Sequence, residues 1–206
     1  MRWRRGRAAR DRLVTELDLL AVDLETTGLD PSRHEVLSVG MVPLHGLSIE
    51  LGGAQEFAVR PTGLGGVGES AAVHGITDDT AASARSLREV LPLVLAALEG
   101  RVLLAHHARI ETGFLYAACR AHGVALPDLV VVDTVRLQRR VLRRGRSLAQ
   151  VADQELGLGA ARRHLGLPGY RSHDALTDAL ACAELYLAQV AALAGDGTMT
   201  LRQLQR

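Results

Sequence analysis

Two carboxylates, Asp23 and Glu25, follow an apolar run in the segment LLAVDLETTG, residues 19–28. Residues i and i+2 of an extended strand point to the same face, so these two side chains are expected to project side by side. Neighbouring anions repel each other unless a cation lies between them, and Mg²⁺ and Mn²⁺ prefer hard oxygen ligands. The spacing predicts a divalent metal site. The alternative for this segment alone is a strand end with a capping Asp and a solvated Glu.

Two later segments carry further groups of this kind. In 103–115, LLAHHARIETGFL, a predicted strand turns into a helix whose first turn carries Glu111. In 171–187, RSHDALTDALACAELYL, His173 precedes a helix and Asp178 lies five residues later, about one and a half turns along. A carboxylate on a mostly apolar helix needs a partner, and a metal ion is one. The alternative is a solvated His173 and a surface carboxylate.

The elements that must position these groups are predicted from periodicity and turn residues. Strands and helices alternate along the chain, which is typical of an α/β domain. Pro92 interrupts one helical pattern, so that helix is expected to kink or to start late. The predicted strands are Leu19–Leu24, Val36–Leu44, Phe57–Val59, Val102–Ala105 and Leu129–Val132, and residues 60–80 are predicted as a loop. The predicted helices are Leu87–Leu98, Ile110–His122, one from Thr134, and Asp174–Leu193.

Composition indicates a globular domain. The chain has 206 residues, of which 48% are hydrophobic, and no window of membrane-spanning length lacks charges. Cys119 and Cys182 lie in apolar helical patterns and form no C-x-x-C motif, which favours reduced thiols and a cytoplasmic location without a membrane partner.

Positive charge is clustered although the net charge is only +1. All 24 basic residues are Arg, with one cluster in residues 1–12 and another in 136–146. Each cluster could contact phosphates, and a solvated helix face or a disordered tail is the alternative for each.

Taken in order, the three motifs resemble the DEDDh-type 3′–5′ exonucleases, the family that includes the proofreading epsilon subunit of bacterial DNA polymerase III, ribonuclease T and oligoribonuclease. AVDLETTGLD matches the first motif, HHARIETGFL the second, and HDALTD the third. The resemblance implies a ribonuclease H-like α/β fold with a mixed central sheet flanked by helices. It also implies hydrolysis from a 3′ end with two divalent ions, Mg²⁺ or Mn²⁺.

The resemblance assigns roles residue by residue. Asp23, Glu25 and Asp178 would hold the first metal, with Asp23 bridging to the second. His173 would be the general base that takes a proton from the attacking water, since an imidazole can accept a proton near neutral pH.

Glu111 departs from the family pattern, in which most members have Asp at this position. Many members also have His-Asn-Ala where this chain has His106-His107-Ala108. Glu111 is predicted to serve the second metal, and Asp128 and Asp133 are the substitutes available in sequence. Asp133 is followed by Thr134 and is predicted to cap a helix instead.

Substrate contacts are also implied by the resemblance. Thr26, Thr27 and Gly28 would meet the terminal nucleotide, and the VHGIT segment, with His74, Gly75 and Ile76, would pack on the last base or ribose. The expected substrate is the 3′ end of single-stranded DNA, and RNA is an alternative substrate. A DNA polymerase is a candidate protein partner. Two alternatives remain: an RNA trimmer similar to oligoribonuclease, and a catalytically weakened module that binds nucleic acid or a polymerase. The predicted domain limits are a basic arm at 1–16, an exonuclease domain at 17–194 and a tail at 195–206.

Overall fold

The computed structural model of the chain describes residues 10–62, 83–144, 151–170, 173–195 and 197–206. Within these ranges seven strands form a single sheet that has helices on both faces. The strands are β1 (Asp18–Thr26), β2 (Val36–His45), β3 (Ser48–Ile49), β4 (Gln55–Arg60), β5 (Arg85–Ser86), β6 (Val102–Ala105) and β7 (Val131–Asp133). The helices are α1 (Leu87–Leu98), α2 (Arg109–Ala121), α3 (Thr134–Leu142), α4 (Leu158–His164), α5 (Ala175–Ala194) and α6 (Leu201–Leu204).

The sheet is mixed, as predicted. Its strand order is β5-β4-β2-β1-β6-β7, and β3 pairs with one end of β2. The neighbours β1, β2 and β4 run antiparallel, whereas β6 and β7 run parallel to β1. Parallel neighbours need crossover connections, and α2 supplies the one between β6 and β7.

Alternation along β1 divides the core into two layers. Leu19 and Ala21 pack in one hydrophobic cluster with residues of α5, whereas Leu20 and Val22 pack in another with residues of α1 and α2. Because side chains alternate between the two faces of a strand, Asp23 and Glu25 continue the face that α5 covers. This register determines where the first two carboxylates lie.

Helix α1 begins at Leu87 and continues through Pro92, so the predicted late start is wrong. Pro92 is exposed, and the Arg88 carbonyl that loses its intrahelical donor lies in an exposed turn where water can satisfy it. A capping box fixes the start of α1, since the Ser86 N–H and hydroxyl both donate to the Glu89 carboxylate, at 2.9 and 2.6 Å.

Helix α5 is the central helix of one layer. It has the length and hydropathy of a membrane span, but half of its most apolar 18-residue window is buried inside the protein. Ala179, Cys182, Ala183 and Tyr186 of α5 belong to the core cluster on that face of the sheet. Its apolar composition is explained by this packing.

The chain after α5 also packs into the core. Met199, Leu201 and Leu204 are buried in the same cluster as α5, although the sequence places them in a C-terminal tail. Thr200 pairs with Leu13, and Val14 joins the cluster as well. Residues near both predicted limits of the domain therefore contribute to its core.

Three arginines of the 136–146 cluster bind carbonyl groups near helix ends. Arg144 donates to the carbonyls of Ala192 and Leu193 at the end of α5, and Arg140 donates to Gln203 in α6. Arg136 donates to the backbone oxygen of Arg206 at 3.3 Å. The last carbonyls of a helix lack intrahelical partners and carry negative partial charge, so these contacts give the cluster a structural role.

Candidate active site

The first strand places two carboxylates on the face of the sheet that α5 covers. Asp23 and Glu25 follow the buried residues Leu19 and Ala21 on this face, and Glu25 is itself buried. A register shift between Glu25 and Thr26 interrupts the pairing with β2 directly after the second carboxylate. The extra residue is Leu37 of β2, and such a bulge bends that strand beside the end of β1.

The start of α5 brings a third carboxylate and an imidazole to the same place. Asp174 caps the helix by accepting the Thr177 N–H at 2.8 Å. One oxygen of Asp178 accepts the backbone N–H of His173 at 2.8 Å, and His173 has a φ of 71°. One metal-ligating atom from each of Glu25, His173 and Asp178 lies within 4.8 Å of the others.

Gly40 allows α5 to approach the sheet this closely. It pairs with Asp23 across the β1–β2 ladder, and a Cβ at Gly40 would lie 2.0 Å from the carbonyl oxygen of Ala175, the first residue of α5. No side chain fits in that space. The absent side chain is what lets the residues at the start of α5 face those at the end of β1.

Glu111 completes the set of acidic groups predicted from the sequence. It lies in the first turn of α2, is buried, and has one oxygen, Oε2, without a hydrogen-bond partner among the described residues. Burial raises the pKa of Glu111 well above its ordinary value, and the negative charges of Asp23 and Asp133 raise it further. A buried, unsatisfied carboxylate oxygen needs a partner, and a metal ion suits this requirement.

The alternative carboxylate Asp133 has the capping role predicted for it. Its side chain accepts the Val135 N–H at 2.9 Å at the start of α3. The same oxygen lies 3.3 Å from the backbone nitrogen of His107, which donates to it. Asp133 is therefore engaged in fixing the ends of two chain segments.

The three remaining carboxylates share the electrostatic character of Glu111. Burial, and after it the charge of Asp178, raises the pKa of Asp23 well above its ordinary value and that of Glu25 to about 7. Burial also raises the pKa of Asp178. Crowded oxygen ligands of this type fit divalent Mg²⁺ or Mn²⁺, whose positive charge would offset their mutual repulsion.

The second motif differs from the usual family residues at His107, and the backbone explains why the position is special. His107 has a φ of 67°, a left-handed conformation in which Asn, Asp and His are enriched among residues other than Gly. His106 beside it is buried and bonded through Nδ1 to the Thr134 hydroxyl at 2.8 Å. Burial is the main cause that lowers the pKa of His106, to about 4, so its ring is neutral near pH 7.

The predicted substrate-binding residues at the end of β1 form a turn beside the carboxylates. The Thr26 hydroxyl donates to the Gly28 carbonyl at 2.8 Å, and the Thr27 hydroxyl accepts the Glu35 N–H at 3.0 Å. A Cβ at Gly28 would lie 2.5 Å from the His34 ring. The other three predicted contacts, His74, Gly75 and Ile76, lie outside the described residues.

Besides Gly40, Arg162 of α4 supports the site and was not predicted from the sequence. Its guanidinium is buried and donates to Glu184 at 2.8 Å, to the Ala181 carbonyl at 2.7 Å and to the Pro168 carbonyl at 2.9 Å. It also lies 4.5 Å from the ring centroid of Tyr170. Arg162 thus fastens the segment just before His173 to α5. The only signal in the sequence is an Arg among small residues, which equally fits a solvated helix.

Comparisons with known proteins agree with this architecture. The PolC-type DNA polymerase III of Thermotoga maritima is 28% identical over 95% of this chain, but the match covers only 14% of that polymerase. The nuclease domain of 3′hExo, a DEDDh family member bound to rAMP, superposes with a TM-score of 0.69 at 19% identity, covering 89% of this chain and 95% of that one. Escherichia coli exonuclease I in complex with a dT13 oligonucleotide gives a TM-score of 0.69 at 14% identity, covering 85% and 41%.

The mixed sheet, with carboxylates gathered from β1, α2 and α5, has the ribonuclease H-like fold that these neighbours share. The exonuclease family RNase_T matches residues 20–186, which include all three motifs. The chain belongs to this exonuclease family.

Proposed function

We propose that the chain is a metal-dependent 3′–5′ exonuclease that releases nucleotides from single-stranded ends, with DNA preferred over RNA. The observation that carries the proposal is the grouping of Glu25, His173 and Asp178 within 4.8 Å, beside Asp23 and the buried Glu111. Paired carboxylates with an adjacent imidazole are suited to hydrolysis of a phosphodiester.

Each residue has a distinct role in this proposal. Asp23, Glu25 and Asp178 would hold one divalent ion, and Glu111 with Asp23 would hold the second. Two such ions, when bound, neutralise the phosphate and stabilise the attacking and leaving oxygens. The exposed imidazole of His173 accepts the proton of the attacking water, and Asp178 fixes the backbone of His173 by its hydrogen bond.

The preference for DNA rests on the relatives. The Thermotoga maritima relative is named a DNA polymerase, and the exonuclease I neighbour holds a dT13 oligonucleotide. The chain matches only a small part of that relative, which is named a polymerase as a whole. We therefore propose a DNA polymerase as the partner of this chain. The 3′hExo neighbour holds rAMP, so RNA must be compared directly.

The test is hydrolysis of end-labelled single strands of DNA and RNA, with and without Mn²⁺. A 5′ label should remain on progressively shortened strands, whereas a 3′ label should be released at once as mononucleotide. Asp178→Asn should abolish the shortening of the 5′-labelled strands and the release of the 3′ label. Asp153→Asn is the control, because it removes a carboxylate that is 91% exposed, and it should change neither result. Release of mononucleotide from the 5′ label first, or undiminished cleavage by Asp178→Asn, would contradict the proposal.

A further inference from the structure

A groove outside the carboxylate cluster has the composition of a ligand site. It lies between the turn that follows β1 and the outer face of α2, and its volume is about 580 Å³. This volume is within the ordinary range of ligand pockets, roughly 300–1,000 Å³. We refer to it as the α2 groove; its lining includes Pro31, Ser32, Gly113, Tyr116, Ala117 and Arg120.

Small residues keep the groove open. Gly113, Ala117 and Ala121 recur every four residues and so lie along one side of α2. Pro31 rests on this side, since a Cβ at Gly113 would lie 3.0 Å from the Pro31 ring. The turn therefore contacts α2 at Gly113. Larger side chains at Ala117 and Ala121 would fill the groove.

The rim of the groove presents an aromatic ring and a cation. Tyr116 is 58% exposed, an unusual amount for a large aromatic residue, and Arg120 is exposed one turn further along the same side of α2. An exposed ring with a neighbouring Arg is the combination that proteins use to stack a base and to hold its phosphate.

The opposite rim carries one carboxylate, and its charge is engaged locally. Asp30 accepts the Ser32 N–H at 2.9 Å and the Ser32 hydroxyl at 2.7 Å. The guanidinium of Arg33 lies 3.7 Å from the other oxygen of Asp30. Arg33 offsets the charge of Asp30, which leaves Arg120 as the cation in the lining of the groove, where it can pair with an anionic ligand.

Both walls of the groove lead back to the carboxylate cluster. The turn wall follows Glu25 along the chain, and the α2 wall begins with Glu111, five residues before Tyr116. Five residues of α-helix rise by about 7.5 Å. Five residues also turn by about 140° around the axis, so a strand that runs from Glu111 to Tyr116 passes partly around α2.

We infer that the α2 groove binds one nucleotide of the substrate strand a few positions from its 3′ end. The base stacks on Tyr116 and the phosphate pairs with Arg120. This inference rests on the proposed function for its ligand, a single strand whose 3′ end lies at the carboxylates. It adds a contact that senses strand length.

Separate measurements of binding and of turnover distinguish a role of the groove in strand binding from a role in the reaction. Affinity is measured for 3-nucleotide and 12-nucleotide DNA strands in Ca²⁺, and turnover is measured in Mn²⁺ with the nitrophenyl ester of thymidine 5′-monophosphate, which occupies only the terminal position. Tyr116→Ala should weaken binding of the 12-nucleotide strand about tenfold, since stacking contributes about 1–3 kcal/mol per base. Tyr116→Phe should restore it, and ester hydrolysis should be unchanged.

Arg120→Gln tests the phosphate contact, with Arg88→Gln as a control that removes an exposed arginine from α1. Only the first should weaken binding of the long strand and reduce its salt dependence. Binding of the 12-nucleotide strand within twofold of wild type for both groove variants would overturn the inference. Equal losses of ester turnover and of affinity for both strands would also overturn the inference. Tyr116 and Arg120 would then act by positioning Glu111 on the same helix. A wild-type protein that binds the long strand at Tyr116 but hydrolyses nothing would contradict the proposed function alone.

Discussion

Burial of single carboxylates controls how the site responds to pH. The pKa of Glu25 is raised to about 7 from its ordinary value of 4.5, chiefly by burial. Folding of the metal-free protein therefore favours the protonated form. The stability that this group contributes is fully present below about pH 4.5 and is lost as the pH rises through about 7.

Glu25→Gln should consequently raise the melting temperature of the metal-free protein at pH 8, because it replaces a buried charge by a neutral amide. The gain over wild type should vanish at pH 4.5, where Glu25 is itself neutral. Thermal unfolding in EDTA at the two pH values measures the effect. Glu50→Gln, at an exposed site, is the matched control and should change neither value. A wild-type protein as stable as Glu25→Gln at pH 8 would contradict this account.

Glu111 tests whether charge or side-chain length matters at the second metal position. Glu111→Gln should lower turnover by about 10²-fold, since an uncompensated divalent charge is poorly screened in a buried site. Glu111→Asp should retain part of the activity, because a water molecule can bridge the distance of one methylene. Rates at saturating Mn²⁺ distinguish the two substitutions. Full activity of Glu111→Gln would make this residue structural.

At the scale of helices and strands, the site depends on how closely α5 lies against β2. Gly40→Ala should push the start of α5 away from the sheet, because the added Cβ would overlap the Ala175 carbonyl. We expect a destabilisation of about 1–3 kcal/mol, the usual cost of overpacking, together with a loss of turnover at saturating substrate.

Gly52→Ala is the control for this substitution, since a Cβ there would meet nothing within 4 Å. It should leave turnover unchanged. Chemical denaturation and steady-state kinetics of the two variants provide the measurement. If Gly40→Ala retained wild-type kinetics, the approach of α5 would not determine the geometry of the site.

Helix α4 stabilises the approach to His173 through its buried arginine. Arg162→Met should destabilise the protein by about 3 kcal/mol, because one oxygen of Glu184 and two carbonyl groups lose the guanidinium that donates to them. Arg139→Met is the control. Its partner, Asp153, is 91% exposed, so Arg139→Met should lower the free energy of unfolding by less than about 1 kcal/mol. Urea denaturation compares the two, and equal losses would show that burial of Arg162 contributes nothing.

The elements that the sequence predicts well are those with a long apolar pattern. β1, β2 and α5 lie within two residues of their predicted limits because many consecutive residues are buried in each. Helix α4 was missed because its seven residues, LGAARRH, include three basic side chains and show no apolar stripe. The two-residue strands β3 and β5 are too short to leave a pattern in the sequence.

At the scale of the whole molecule, the prediction of the site depended on the order of three motifs rather than on any single residue. Asp23, Glu25, His173 and Asp178 are brought together as those motifs indicated. Neither Gly40 nor Arg162 could be predicted, since their importance arises from contacts between segments that are distant in sequence. The role of the 136–146 cluster is unpredictable from sequence for the same reason, because the carbonyl groups that Arg140 and Arg144 bind belong to α6 and α5.

The distribution of the site along the chain has a consequence for biosynthesis. Asp23 lies on the first strand, whereas His173 precedes α5 and Asp178 lies in its first turn. The antiparallel β1–β2 pair can form early, as nascent chains fold from the amino terminus. A ribosome-bound chain that has emerged only as far as β7 still lacks its imidazole and one of its carboxylates. Under the proposed function, the site is therefore complete only after translation has passed Asp178.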